Sequence, residues 1–210
     1  ARALAGDEPI GQMLRYFGQR QGLQLLHDRN WFVTGEERES VTLRRVVAGD
    51  LVAHCTIKRL PPKSADRQAT IEQFQKDVKF ALGESFEHFA SSAQWTATNG
   101  HRCYRVVARG KVQAVPVQWH NYLVAAEDGK QASLAFTMEG PDADRLGDAD
   151  RELVEALQLV EPTPRATATA SKGHDSGKGQ PTATDIETVE RAARRIGRRP
   201  YSRRSRPGRR

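Results

Sequence analysis

Two sets of β-rich runs lie on either side of one strongly amphipathic helix, and that order leaves few architectures open. Val41-Thr42-Leu43-Arg44-Arg45-Val46-Val47 is rich in β-branched residues, and Ala48-Gly49-Asp50 is a turn. Leu51, Ala53, Cys55 and Ile57 then share one face of the next run, so the pair reads as a hairpin. Ahead of it, Leu23-Gln24-Leu25 alternates, and Trp31-Phe32-Val33 follows a polar turn at His27-Asp28-Arg29-Asn30. Beyond Pro61-Pro62 the period changes. Ile71, Phe74, Val78, Ala81 and Leu82 form the stripe of a helix buried on one side. Thr70 with Gln73 makes a capping box ahead of it, and Gly83 marks its stop. A second β set spans about Ala93 to Glu139, broken at Arg109-Gly110-Lys111 and turning at Glu127-Asp128-Gly129-Lys130. Leu146, Ala149, Leu153, Leu157 and Val160 give a closing amphipathic helix. The reading is an α+β domain over residues 22–161, an antiparallel sheet of about six strands flanked by helices in an α/β/α sandwich. Residues 1–21 form an N-terminal extension in which Ile10, Met13, Leu14 and Phe17 have the spacing of a short helix.

Charge is segregated along the chain. Residues 162–210 hold 13 Lys/Arg and 4 Asp/Glu, a net of +9, whereas residues 1–161 hold 20 and 22, a net of −2. The overall +7 therefore belongs to the C-terminal tail. Residues 162–183 have almost nothing to bury and read as a flexible linker. Residues 184–210 form an Arg-rich tail that begins with a short basic amphipathic helix, capped by Thr184 and Glu187 and carrying Ile186, Val189, Ala193 and Ile196. Its arginines, Arg191, Arg194, Arg195, Arg198, Arg199, Arg203, Arg204, Arg206, Arg209 and Arg210, are the candidate polyanion-binding set, because each offers a planar fork matched to phosphate. Nucleic acid and an anionic membrane surface are both partners for such a tail. A solubilising extension without a specific partner is the plainer reading.

A body of this length buries enough surface to fold without metals or disulfides. Cys55 and Cys103 lie in alternating apolar runs, where two buried free thiols are the first reading and one disulfide the second. No apolar run approaches the length of a membrane span. Ala3-Leu4-Ala5 before Gly6 resembles the end of a signal peptide, an indication of a processed chain, although an arbitrary boundary accounts for it as well.

The element order, with Trp31 entering an early strand, the arm Gly49-Asp50-Leu51-Val52-Ala53-His54-Cys55 and the late strand Phe136-Thr137-Met138-Glu139-Gly140, resembles the PsbP/Mog-like α/β/α sandwich. Pro116-Val117-Gln118-Trp119 and Leu153-Val154-Glu155-Ala156-Leu157 are similar to short words of bacterial single-domain relatives. The resemblance covers about residues 22–161. It implies a binding or assembly module, the role of members that act on photosystem II and on a small nuclear GTPase, and it carries no catalytic set. The basic tail lies outside it.

The residues themselves carry little catalytic signal. His27-Asp28 reads as a turn in which Asp caps and His is solvated. His101 and Cys103 share a face, but a metal site would need two further ligands, with His88 and His120 the only spare candidates. An enzyme would require His101, Cys103 and His120 to converge. The acids Asp142, Asp144, Asp148 and Asp150 suit the start of a helix, where the dipole favours them. Gly173, Gly177, Lys178 and Gly179 do not complete a phosphate loop. The tryptophans and tyrosines read first as core. The sharper alternative is a ligand groove at Trp119, His120 and Tyr122. The sequence therefore points to a non-enzymatic binding module, without cofactor or metal, whose body docks an unspecified protein or ligand while the tail holds a polyanion. An extracytoplasmic location is favoured over a cytoplasmic one. The alternative is an intracellular nucleic-acid-associated protein acting through its tail.

Overall fold

The computed structural model describes residues 13–64 and 68–162. Ten strands and three helices run in the order β1 (Leu14–Gly18), β2 (Leu23–His27), β3 (Trp31–Glu36), β4 (Ser40–Val47), β5 (Asp50–Leu60), α1 (Ile71–Leu82), β6 (Phe86–Thr96), β7 (Arg102–Val112), β8 (Val115–Ala125), β9 (Gln131–Glu139), α2 (Ala143–Leu146), α3 (Ala149–Glu155) and β10 (Leu157–Leu159). Seven of the strands form one antiparallel sheet in the order β3-β4-β5-β9-β8-β7-β6. The other three form a small sheet, β1-β2-β10. The fold is thus α+β on a large antiparallel sheet, as the sequence predicts, with seven main strands where about six are expected.

Period-2 alternation puts two different cores on the two faces of the large sheet. On one face Leu43, Cys55, Ile57, Leu134, Phe136 and Tyr122 pack against Leu153 and Val154 of α3 and Leu25 of β2. Phe136 stands edge-on to Trp31 at 5.7 Å and to Tyr122 at 5.5 Å. On the other face Phe74, Val78 and Leu82 of α1 cover Tyr104, Val106, Val117 and Trp119. The α1 cap is half of the expected box: the Thr70 hydroxyl accepts from the Gln73 N–H at 3.3 Å, while the Gln73 amide turns to Asp77 instead.

Four local expectations are corrected. Over Leu14–Gly18 the N-terminal segment is a strand, not a helix, and it pairs with β2 from Leu14–His27 to Gly18–Leu23. A short apolar run does not discriminate between the two periods, and the free edge of β2 decides the matter. The expected closing helix ends at Glu155; Leu157–Leu159 is a strand that pairs with the other edge of β2. Gly147, at φ +57, separates α2 from α3. In the hairpin a bulge shifts the register between Arg45 and Val46, so Val52 turns inward (2% exposed) and Leu51 turns out (37%). His27, expected in solvent, is buried, its Nδ1 hydrogen-bonded to the Asp28 carbonyl at 2.8 Å.

Cys55 and Cys103 are both buried free thiols. Burial pushes the Cys55 thiol well up, and it raises that of Cys103 to about 11. Neither supplies a reactive thiolate at neutral pH. Titration with a thiol reagent is therefore expected to label neither cysteine in the native protein and both after unfolding; a rapidly labelled native thiol would contradict this packing.

Candidate functional site

The site grows from one buried carboxylate. Asp150 lies in the first turn of α3 at 1% exposure and turns towards β7 and β8. Its Oδ2 accepts from the Tyr122 hydroxyl at 2.5 Å, from His120 Nδ1 at 2.6 Å and from Arg105 Nη2 at 3.1 Å. Arg105 also stands over the Tyr122 ring, 5.7 Å from its centroid. Strand register makes the cluster: Arg105 opposes Tyr122 across the β7–β8 pair, and His120 follows two residues earlier on the same face.

The hydrogen bonds run in one direction. Arg109 Nε donates to Gln118 Oε1 at 2.9 Å, which orients the amide so that Gln118 Nε2 donates to His120 Nε2 at 2.6 Å. His120 Nδ1–H then donates to Asp150. A guanidinium has no acceptor, so Arg109 fixes the amide, and the amide fixes the imidazole as the Nδ1–H tautomer. Both ring nitrogens are occupied. Arg105 and Asp150 bring one cation and one anion, so the buried cluster is balanced in charge. Burial by itself would raise the Asp150 carboxyl, but the hydrogen bonds from His120 and Tyr122 and the neighbouring positive charge outweigh it and hold the group below its ordinary value. Burial and the adjacent carboxylate together push the Tyr122 hydroxyl up.

Above this network lies an open cleft of about 500 Å³. Its floor is Arg105, Arg109, Gln118 and His120, one wall is Ala90 and Ser91 of β6, and the roof is Asp144 and Asp148 around the Gly147 break. Among the described residues Arg109 has no carboxylate partner, whereas Lys111, Arg145 and Arg151 are paired with Glu87, Asp142 and Glu155.

The expected groove of Trp119, His120 and Tyr122 does not form as one surface. Trp119 points to the opposite face and is buried under α1 at 3% exposure. His120 lines the cleft, while Tyr122 is fully buried beneath it. Nor do His101, Cys103 and His120 converge: Cys103 opposes Val124 and His120 opposes Val107, four residues apart along the strands, or about 13 Å. Asp150 was the residue the sequence hid, since a helix-start acid is usually solvated. The signal was its position, four residues after Leu146 and three before Leu153, on the apolar stripe. The ten candidate arginines between Arg191 and Arg210 lie outside the described residues.

No protein-family model matches the chain, and no curated protein is similar to it in sequence. Solved structures share its fold. Cyanobacterial PsbP (CyanoP) from Synechocystis superposes with a TM-score of 0.52 at 14% identity, over 73% of this chain and 96% of that one. A point mutant of the protein Mog1 superposes with a TM-score of 0.52 at 8% identity, over 72% of this chain and 96% of that one. The fold is therefore PsbP/Mog-like. Among the described residues no helix is long and apolar enough to cross a membrane.

Proposed function

We propose that the chain is a non-enzymatic binding or assembly module whose folded body docks a partner while its arginine-rich C-terminal segment holds a polyanion. The observation that carries the first half is the closed relay from Arg109 through Gln118 and His120 to Asp150. It commits the imidazole to hydrogen bonds at both nitrogens, so it anchors α3 to the sheet and shapes a cleft without leaving a free base in it. The PsbP/Mog-like fold agrees with the binding or assembly role that the family resemblance implies. An extracytoplasmic location belongs to the same reading. The second half rests on the segregation of charge, +9 in residues 162–210 against −2 in the rest.

The test is a salt series. Binding of the intact chain to duplex DNA, RNA and phosphatidylserine vesicles is compared with that of a variant in which the ten arginines from Arg191 to Arg210 are glutamine. If five to eight arginines meet phosphates, the log–log salt slope on duplex DNA is roughly −4 to −7. The variant is expected to lose most of that slope. Equal binding by both chains, or none by either, would remove the polyanion role.

A further inference from the structure

Among the described residues the large sheet ends in two edges that no further strand covers, and they differ in character. At one, β3 runs into Gly35-Glu36-Glu37-Arg38-Glu39 and carries a bulge between Val33 and Gly35, the charges and irregularity that protect an edge from added strands. At the other, β6 pairs, among the described residues, only with β7. From His88 to Thr96 it has no Asp, Glu, Lys, Arg or Pro. Its irregularities fall in its first half, and the register from Ser91–Val107 to Thr96–Arg102 is unbroken. Such an edge presents main-chain donors and acceptors with nothing to repel a further strand.

This edge also forms a wall of the cleft. Ser91 opposes Val107 and Ala93 opposes Arg105, so these two small side chains share the cleft face. The residue skipped at the second bulge, Ala90, stands at the cleft mouth with its neighbour Ser91. Alternate side chains of a strand laid along β6 would land beside Ser91 and Ala93, over the low wall; His88 is the β6 residue opposite Arg109, so the side chain beside Ser91 approaches Arg109 on the diagonal. That floor offers the Arg109 guanidinium, which has no acid partner among the described residues. Arg105 is committed to Asp150. Asp144 and Asp148 face the floor from the roof, so a second cationic residue on the incoming strand is tolerated there, and a second acidic one is not.

We propose that β6 and the cleft behind it bind an extended segment of a partner protein, added to the sheet as an eighth strand with an acidic side chain set against Arg109. The proposal rests on the reading of the folded body as a docking module and names its docking surface. Main-chain pairing supplies affinity, and the acid opposite Arg109 supplies register and selectivity.

A random octapeptide library selected against the intact chain tests it. Selection is expected to enrich β-branched peptides with one acidic residue at a fixed position. An enriched peptide is expected to lose affinity about tenfold on Arg109→Glu, the size of one charge-assisted hydrogen bond. The same exchange should turn the library's preference from acid to base. Ser92→Pro, which puts a proline on the edge, should abolish enrichment. Arg109 also orients Gln118, so the decisive readout is the switch from acid to base preference, which a merely disturbed cleft would not give and which keeps the test valid if the proline variant fails to fold. No enrichment, or enrichment with no acid preference and no response to Arg109→Glu, overturns the proposal. A monodisperse dimer broken by Ser92→Pro would assign the edge to a second copy of this chain and also overturns it. The tail's binding to polyanions is read separately in the salt series, so either claim fails without the other.

Discussion

Replacing Asp150 with alanine is expected to destabilise the fold by about 3–5 kcal/mol, the cost of removing one partner from a buried ion pair. Arg105, His120 and Tyr122 all direct hydrogens at Asp150 Oδ2, so the substitution orphans three donors at once. A domain of this size moves in melting temperature by about 2–4 °C per kcal/mol, which puts the loss on the order of 10 °C. The effect should depend on pH in one direction. The folded carboxyl lies below its ordinary value, so its contribution is complete above the usual carboxylate range and is lost as pH falls through the folded value. The gap between wild type and Asp150→Asn should therefore narrow on acidification. Thermal melts from neutral to acidic pH check this. A gap that is small at neutral pH, or that widens in acid, would mean the network does not hold α3 to the sheet.

The second large effect is expected at Gly110. A Cβ built there would sit 1.8 Å from the Ser85 carbonyl oxygen, 2.9 Å from the Ser85 carbonyl carbon and 3.1 Å from Trp119 Cζ3. The obstacle is backbone from the turn that carries the chain out of α1 into β6, so no rotamer relieves it. Overpacking in ordinary cores costs about 1–3 kcal/mol, and Gly110→Ala should reach or exceed the upper figure because main chain has to move. Urea denaturation of Gly110→Ala against wild type measures it. A variant within 1 kcal/mol of wild type would show that the 83–85 turn yields easily, contrary to its close approach to Gly110.

The fold was legible where the apolar pattern was long. The stripe through Phe74, Val78 and Leu82 locates α1, and alternation through Cys55 and Ile57 and through Phe136 and Met138 locates central strands, because burial of one face imposes the period. Legibility failed where pairing overrode local pattern. Leu14–Gly18 and Leu157–Leu159 are strands because β2 offers each of them an edge, the first across a short local hairpin and the second from the far end of the domain. The site failed for a related reason. Trp119, His120 and Tyr122 read as one aromatic-polar word, yet alternation sends Trp119 to the face under α1 and the other two to the face under α3. Asp150 joins them across 30 residues, a separation that no local spacing encodes.

The division of labour between body and tail is the central claim, and one titration addresses it directly. Heparin is added to the intact, ¹⁵N-labelled chain, and backbone amide shifts are followed residue by residue. Cleft and tail offer different chemistry, since Asp144 and Asp148 over the floor arginines make the cleft a poor seat for a polyanion, whereas Arg191 to Arg210 hold ten arginines and no acid. The account predicts shifts confined to residues 184–210, with Arg105, Arg109 and His120 unmoved. Shifts centred on Arg105, Arg109 and His120 with the tail unaffected would contradict it.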